Sequence, residues 1–287
     1  MTRSRRAGWG AAALAACGLL ACAGGLRAGA AFAQVAPPSL SFPLHLTADE
    51  VTVDNTGSAL VASGHVRVTY GADAATADTL RLTRAARTAE FSGHVTVTGP
   101  QGQATADRVT LDLTAANEVT RVALAGAAAV QTPQYALSAD SIVADRPSGR
   151  LVADGHVTAF SAPDLIVNGG RLVYNQHEEY GVITGQPVLA NKAGRVQGDW
   201  IELFRKDNRA RVHGPVRADV YGATVTSADA AVDFTKAVAV LTGHVVMIRT
   251  QGTLWADQVT IYYETRRMIA AGTTRVHFNN LGDATNP

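Results

Sequence analysis

Cysteine, aromatic residues and charge are all scarce in this chain. It has two cysteines, Cys17 and Cys22, while aromatic residues make up 6% and charged residues 17% of the sequence. So few aromatic side chains disfavour the stacking surfaces that bind single-stranded nucleic acid. Hydrophobic residues make up 47%, chiefly Val, Ala, Leu and Ile, so the chain can bury a core and is not a disordered tail.

The N-terminal segment, 1–33, predicts a signal peptide. Three arginines close to the start precede an uncharged run from Ala7 to Leu26, and Ala31-Phe32-Ala33 has the form of a cleavage site. Cleavage there would leave Gln34 as the first residue of a periplasmic protein. Lipidation at Cys17 or Cys22 and a retained membrane anchor are the alternatives.

Removal of that segment changes the chemistry that remains. Both cysteines leave with it, so the mature protein has no disulfide, no thiolate nucleophile and no thiolate metal site. Four arginines leave as well, so 25 − 4 = 21 basic residues remain against 24 acidic ones. A mildly acidic protein has no general attraction to nucleic acid or to an anionic membrane surface.

No catalytic pattern is found along the chain. It contains no Gly-X-Ser-X-Gly elbow, no glycine-rich phosphate loop and no His-Glu-X-X-His motif. Glu178 and Glu179, beside His177, are more typical of a solvated turn than of an acid/base pair. The sequence therefore predicts that the protein is not an enzyme and needs no cofactor.

A repeat dominates the rest of the sequence. Each copy begins with Ala-Asp or a degenerate form of it and reaches a glycine about halfway to the next copy. The steps from one copy to the next are 29, 29, 33, 29, 30, 30 and 28. Eight copies at such spacing predict a repeated supersecondary unit. The first positions are Asp49, Asp78, Asp107, Asp140, Gly169, Asp199, Asp229 and Asp257, and the glycines are Gly64, Gly93, Gly126, Gly155, Gly185, Gly214, Gly243 and Gly272.

Each copy is expected to form two strands. Apolar and polar residues alternate with a period of two, as at Val66, Val68 and Tyr70, and turn residues such as Asn55-Thr56-Gly57 separate the alternating runs. Eight copies predict an all-β fold of about sixteen strands. The expected division is a linker over 34–46, a β domain over 47–278 and a polar tail over 279–287.

The repeat words resemble those of the LptA/OstA-like family. Examples are Ala48-Asp49-Glu50-Val51 followed by Gly64-His65-Val66, and Ala77-Asp78 followed by Gly93-His94-Val95. The resemblance covers about residues 47 to 278. It implies a partly open, twisted β-jellyroll that shields the lipid A acyl chains of lipopolysaccharide on their way from the inner to the outer membrane. Its partners would be lipopolysaccharide and transport components of both membranes.

Three alternatives compete with this function. A structural periplasmic β-solenoid would have an interior that is only core, and protein partners alone. A membrane-anchored component similar to LptC would keep its N-terminal segment. A carbohydrate-active solenoid enzyme lacks a plausible pair of acids. Copurified lipid would separate the transport protein from the solenoid.

The alternation assigns one set of residues to the interior, where acyl chains would bind. An open sheet pair lined by aliphatic side chains is an acyl-chain groove, and each buried CH₂ contributes about 0.8 kcal/mol. The predicted lipid-binding residues are Val66, Val68, Val95, Val97, Leu111, Val157, Val245 and Ile261.

The repeated polar and aromatic positions have simpler interpretations than catalysis or metal binding. Histidines in Gly-His-Val words, at His65, His94, His156 and His244, are expected to face solvent rather than to bind a metal. The repeated aspartates are expected to cap turn amides rather than to bind calcium. Trp200 and Trp255 are expected to pack in the core, with a plug at a groove end as the alternative.

The first and last strands, near 46–54 and 275–278, are expected to be open edges. Neither carries a proline within it and no helical cap follows the pattern. An uncovered edge templates another strand. The sequence therefore predicts head-to-tail association through both edges.

Overall fold

A computed structural model describes residues 45–116, 118–161 and 164–279, and every regular element in these ranges is a β-strand. The predicted signal peptide, most of the linker and residues 280–287 lie outside the described residues. No helix in the described ranges has the length and apolarity needed to cross a membrane. The chain divides into two compact units, residues 1–161 with 175–177 and residues 162–174 with 178–287.

The first unit is built from successive antiparallel pairs. Strands β3 to β9 each pair with the next, while β1 and β2 pair with the two halves of β3. In the described part of the chain β1 and β2 have no second partner, so the unit has an open edge. Its strands are β1 (His45–Thr47), β2 (Glu50–Val53), β3 (Ala59–Tyr70), β4 (Asp73–Thr83), β5 (Thr88–Gly99), β6 (Gly102–Leu113), β7 (Val119–Gln131), β8 (Tyr135–Asp145) and β9 (Arg150–Ser161).

The second unit has the same antiparallel order with more divided strands. Strands β12 and β13 pair with each other, β11 pairs with β14, and both β13 and β14 pair with β15. Strands β19 and β20 pair with the two halves of β18. The strands are β10 (Leu165–Asn175), β11 (Tyr180–Thr184), β12 (Val188–Asn191), β13 (Gly194–Gln197), β14 (Trp200–Phe204), β15 (Arg209–Val220), β16 (Ala223–Asp233), β17 (Val238–Arg249), β18 (Gly252–Tyr262), β19 (Arg267–Ala271) and β20 (Arg275–Phe278).

The all-β prediction is confirmed, and the difference in strand number has a simple cause. The structure describes twenty strands where about sixteen are expected. Four of the expected strands are each divided in two where the chain turns a corner, giving β1 and β2, β11 and β12, β13 and β14, and β19 and β20. The remaining strands cross the same corner without a break. The fold is the open β-jellyroll that the resemblance implies.

Alternating burial explains why these residues form strands with one apolar face. In β5, Ala89, Phe91, Val95 and Val97 have at most 1% of their surface exposed, while the residues between them point outward. Burial of that much aliphatic surface stabilises the sheet far more than strand propensity alone.

Short polar turns end the strands, as the sequence predicts. At the first hairpin the Ser58 amide donates to Asp54 Oδ1 at 2.6 Å, and the Gly57 amide donates to the Asp54 carbonyl at 2.9 Å. The hydrogen bond from the Ser58 side chain lowers the pKa of Asp54 to about 2. The amide of Ser148 is bound in the same way by Asp145.

Candidate functional site

The eight residues assigned to an acyl-chain groove all lie inside the jellyroll. Each has at most 1% of its surface exposed: Val66, Val68, Val95, Val97, Leu111, Val157, Val245 and Ile261. The first unit holds six of them and the second unit holds Val245 and Ile261. Contact with lipid stays a prediction. Side chains with almost no exposed surface can meet an acyl chain only when the surrounding interior opens.

Large and small side chains alternate across the strands of the interior. One row in the first unit places Val68 opposite Ala75, Ala75 opposite Val97, and Val97 opposite Ala104. Such alternation lets two facing layers interdigitate without voids. The inward face is therefore aliphatic, and no charged residue is buried in the described ranges.

The pairing of neighbouring long strands shifts register at a corner, where one strand of each pair carries a glycine. In β5 both Gly93 (φ 77°) and His94 (φ 49°) are left-handed, and the pairing with β6 shifts between Ser92 and Val95. A glycine adopts this conformation at no steric cost, and His is one of the few other residues that tolerate it. A methyl group on Gly93 would overlap the carboxyl group of Asp78 on the neighbouring strand.

The repeated aspartate and histidine meet at these corners. The Nδ1 atoms of His65 and His94 lie 2.8 and 2.9 Å from the Oδ2 atoms of Asp49 and Asp78. The histidines are about nine-tenths exposed, as the alternation predicts. The hydrogen bond to the aspartate, reinforced by its charge, raises the pKa of each of these two imidazoles above the usual value of about 6.5.

The predicted capping role of the aspartates holds in a modified form. At the last corner the Thr273 amide donates to Asp257 Oδ2 at 2.7 Å, so the carboxylate there does cap a backbone amide. At the corners of His65, His94 and His156 the imidazole is the partner instead. Within the described ranges no three His, Cys, Asp or Glu side chains are grouped so that they could hold a metal ion.

The structure corrects two positions of the repeat. The residue facing the corner glycine is Gly170 and not Gly169, because Gly170 lies against Gly185. In a later copy it is Ala228 and not Asp229, because the Cβ of Ala228 faces Gly243. With these residues the steps between the later copies become 30, 29, 29 and 29, so the structure is more regular than the dipeptide Ala-Asp indicates.

The open edges expose residues that elsewhere would be buried. Val51 lies opposite Ala62 and Val53 opposite Leu60, on the inward face of β2, yet they are 47% and 55% exposed. Val276 and Phe278 on β20 lie opposite Leu254 and Gly252, and they are 46% and 56% exposed. Interior apolar surface therefore reaches the solvent at both edges.

A cavity of about 470 Å³ lies beside the second of these edges, formed by β17 to β20 within the second unit. No sequence pattern marks it. Its lining is apolar apart from two arginines and a few neutral polar groups: Met247, Arg249, Gln251, Gly252, Thr253, Leu254, Arg266, Met268, Val276 and Phe278.

The sequence model of a family described as "LptA/(LptD N-terminal domain) LPS transport protein" matches residues 45–150 and 224–285. These two segments make up more than half of the chain, and one lies in each unit. The chain belongs to this family. Its resemblance to the LptA/OstA-like repeat is thereby confirmed, and the family is one of lipopolysaccharide transport proteins.

The comparison with solved structures includes LptH from Pseudomonas aeruginosa, described as the LptA homologous periplasmic component of the lipopolysaccharide transport device. The similarity covers 52% of the present chain and 87% of LptH, with 15% sequence identity and a TM-score of 0.33. No curated protein matches the chain.

The segment that the LptA family model does not match, 151–223, contributes most of an outward-facing polar network. The Tyr180 hydroxyl donates to Glu202 Oε1 at 2.7 Å, and His213 Nε2 lies 2.8 Å from Glu202 Oε2. His213 Nδ1 lies 3.2 Å from Asp229 Oδ1. The hydrogen bond with Glu202, together with burial, raises the pKa of Tyr180 to about 12, and the same bond lowers the pKa of Glu202.

The expectation that the two tryptophans pack in the core is wrong. Trp200 and Trp255 are 41% and 38% exposed, because each precedes a buried residue, Ile201 and Ala256, and so lies on the outer face. Trp200 stacks on His213 with ring centroids 4.6 Å apart. The sequence does distinguish the histidine that stacks on Trp200. His213 comes before Gly214, whereas the other corner histidines follow their glycine.

Proposed function

We propose that this chain is a periplasmic lipopolysaccharide-binding protein that shields lipid A acyl chains inside its jellyroll during transport to the outer membrane. Membership of the LptA family supports the cargo class. The observation that carries the proposal is the inward apolar face of the second unit, which is closed at Val245 and reaches solvent at Val276 and Phe278. An acyl chain entering there gains about 0.8 kcal/mol for each CH₂ removed from water.

Entry requires a limited opening of the interior. The eight predicted residues have at most 1% of their surface exposed, so an acyl chain can reach them only when the side chains that cover them move apart. Acyl chains would then replace contacts among the interior side chains with contacts of the same apolar kind.

Lipid extraction is the direct test of the cargo. The full chain, expressed in a lipopolysaccharide-producing cell and purified without detergent, should carry lipid A species that mass spectrometry identifies. Protein free of lipid A, with the same secondary structure, would contradict the proposal. It would favour a structural β-solenoid, which the almost complete burial of the eight interior residues also fits.

The edge strands supply the proposed route between proteins. Asn279 donates its amide to the Gln251 carbonyl at 2.9 Å, so the alternation along β20 directs the amides of His277 and Arg275 toward β18. The amides of Val276 and Phe278 then point to the open edge. An edge strand of another chain, such as β2 of a second copy or a strand of a membrane component, can pair there.

Proline substitutions separate edge pairing from folding. The double change of Val276 and Phe278 to proline removes only donors that point outward, so it should abolish concentration-dependent oligomers and leave the fold intact. The change His277→Pro removes a donor that β18 uses and should disturb β20 itself. Sedimentation velocity measures the oligomeric state of both variants. A wild-type protein that stays monomeric at high concentration, with no crosslinks from either edge in cells, would exclude the bridge.

The periplasmic location has its own test. The intact mass of the exported protein should correspond to a first residue at Gln34. Retention of residues 1–33 would instead favour an anchored component similar to LptC, and a diacylglycerol on Cys17 or Cys22 would favour a lipoprotein.

A further inference from the structure

The cavity formed by β17 to β20 differs in charge from the rest of the interior. Elsewhere in the described ranges the buried inward side chains carry no charge. Here Arg249 and Arg266, both exposed, are among the residues that line an open space of about 470 Å³, and the lining includes no carboxylate. Small-molecule sites usually have volumes of about 300–1,000 Å³, so the cavity is large enough for part of a ligand.

Arg249 is an inward residue. It continues the alternation of Val245 and Met247, both buried, so its side chain leaves the strand on the interior face. One of its terminal nitrogens donates to the Met268 sulfur at 3.3 Å, which is a weak bond that leaves most of its donors unused.

Arg266 reaches the same cavity from the turn before β19. Its guanidinium carbon lies 5.5 Å from the ring centre of Tyr221, so the aromatic face orients it without neutralising it. In the described part of the chain, the ion pairs of basic residues involve other side chains, and neither Arg249 nor Arg266 takes part in one.

The apolar part of the cavity lies directly beside these charges. Val276 and Phe278 present exposed inward surface, and Met247 and Met268 supply adaptable side chains that pack against irregular ligands. Two cations next to exposed aliphatic and aromatic surface are complementary to an anionic amphiphile. Arginine is the side chain best suited to phosphate, since its planar fork donates two parallel hydrogen bonds.

We propose that this cavity binds the phosphate-bearing head of an acylated lipid, with Arg249 and Arg266 on phosphate and the first part of an acyl chain on Val276 and Phe278. This inference rests on the proposed function and adds a specificity to it: the edge at β20 selects phosphorylated over dephosphorylated lipid. An edge that served only to pair with a partner's strand through backbone groups would not distinguish the two lipids.

The test uses two probes and three forms of the full chain. Binding of bisphosphorylated lipid A and of its dephosphorylated form is measured by competition against a fluorescent lipid, at low and at high salt. The forms are wild type, the double variant R249Q/R266Q, and the matched control Arg267→Gln. Arg267 is the next residue along, but it lies opposite Tyr262 on the outward face and does not line the cavity.

Wild type should bind the bisphosphorylated lipid at least tenfold more tightly than the dephosphorylated one, which is the size of one lost charge-assisted hydrogen bond. High salt should reduce that ratio. The double variant should lose the preference while keeping its affinity for the dephosphorylated lipid, and Arg267→Gln should keep both. The wild-type ratio needs no variant, so a variant that fails to fold does not remove the test.

The outcomes separate this inference from the function beneath it. Wild type that binds both lipids equally, or a double variant with an unchanged preference, overturns the phosphate site and leaves lipid binding standing. Wild type that binds neither lipid overturns both.

Discussion

The same inward face is closed on strands that have neighbours on both sides and open on the outermost strands. Within the second unit, Val245, with a strand on either side, is 1% exposed, whereas Val276 and Phe278, on a strand that pairs on one side, are 46% and 56% exposed. Residue type does not explain the difference, since all are apolar and inward. What differs is whether another strand lies beyond, so the edges are where a lipid or a partner can first meet the interior.

The largest effect is expected from truncating the closed interior. Leu111 is fully buried, so Leu111→Ala should lower the free energy of unfolding by about 2–5 kcal/mol through lost burial and a new cavity. Phe278→Ala, at the open edge, should change it by less than about 1 kcal/mol. Urea unfolding of both measures the contrast. Equal losses at the two positions would show that the edge is closed in solution.

A smaller loss is expected where a corner glycine is substituted. Gly93→Ala forces a left-handed alanine against the carboxyl group of Asp78 and should cost about 3 kcal/mol. The control is Gly71→Ala, at a turn with φ 58° and no atom within 4 Å of the added carbon, which should cost about 1 kcal/mol. If both variants lose the same stability in thermal unfolding, the aspartate contact has no role in the corner.

The outward-facing polar network of residues 151–223 should contribute less to the free energy of unfolding than the corner glycines do. Tyr180→Phe removes the donor to Glu202 and should cost about 1 kcal/mol at neutral pH. The lowered pKa of Glu202 means that its contribution is present above the unfolded value of about 4.5 and is lost as the pH falls through the lower folded value. Stability measured from pH 7 to 3 should therefore fall less steeply in Glu202→Gln than in wild type.

The smallest effect is expected at the exposed corner histidines. The raised pKa values of His65 and His94 mean that their contribution is fully present below about pH 6.5 and is lost as the pH rises through the higher folded values. Replacing both by asparagine, which also tolerates the left-handed conformation, should flatten the stability profile between pH 6 and 8. An unchanged profile would mean that the aspartates do not interact with the imidazoles in solution.

Local patterns in the sequence predicted the strands, and long-range pairing decided the rest. Period-two alternation was enough to place Val66, Val97 and Leu111 inside, because each side chain's face depends only on its own strand. The register at a corner depends on two strands, so Ala228 could not be distinguished from Asp229 by the sequence alone. The cavity at Arg249 and Arg266 joins several strands and a turn, and no local pattern marks it.

Photo-crosslinking tests the central claim, that lipid occupies the inward face, most directly. A photoreactive residue at the inward positions Val97 and Val276 should capture lipopolysaccharide in cells, while the same residue at the outward neighbours Thr96 and Arg275 should not. Because Val276 is exposed, that position tolerates the larger side chain even if Val97 does not. Equal capture on both faces, or no capture at either inward position in folded protein, would contradict the account.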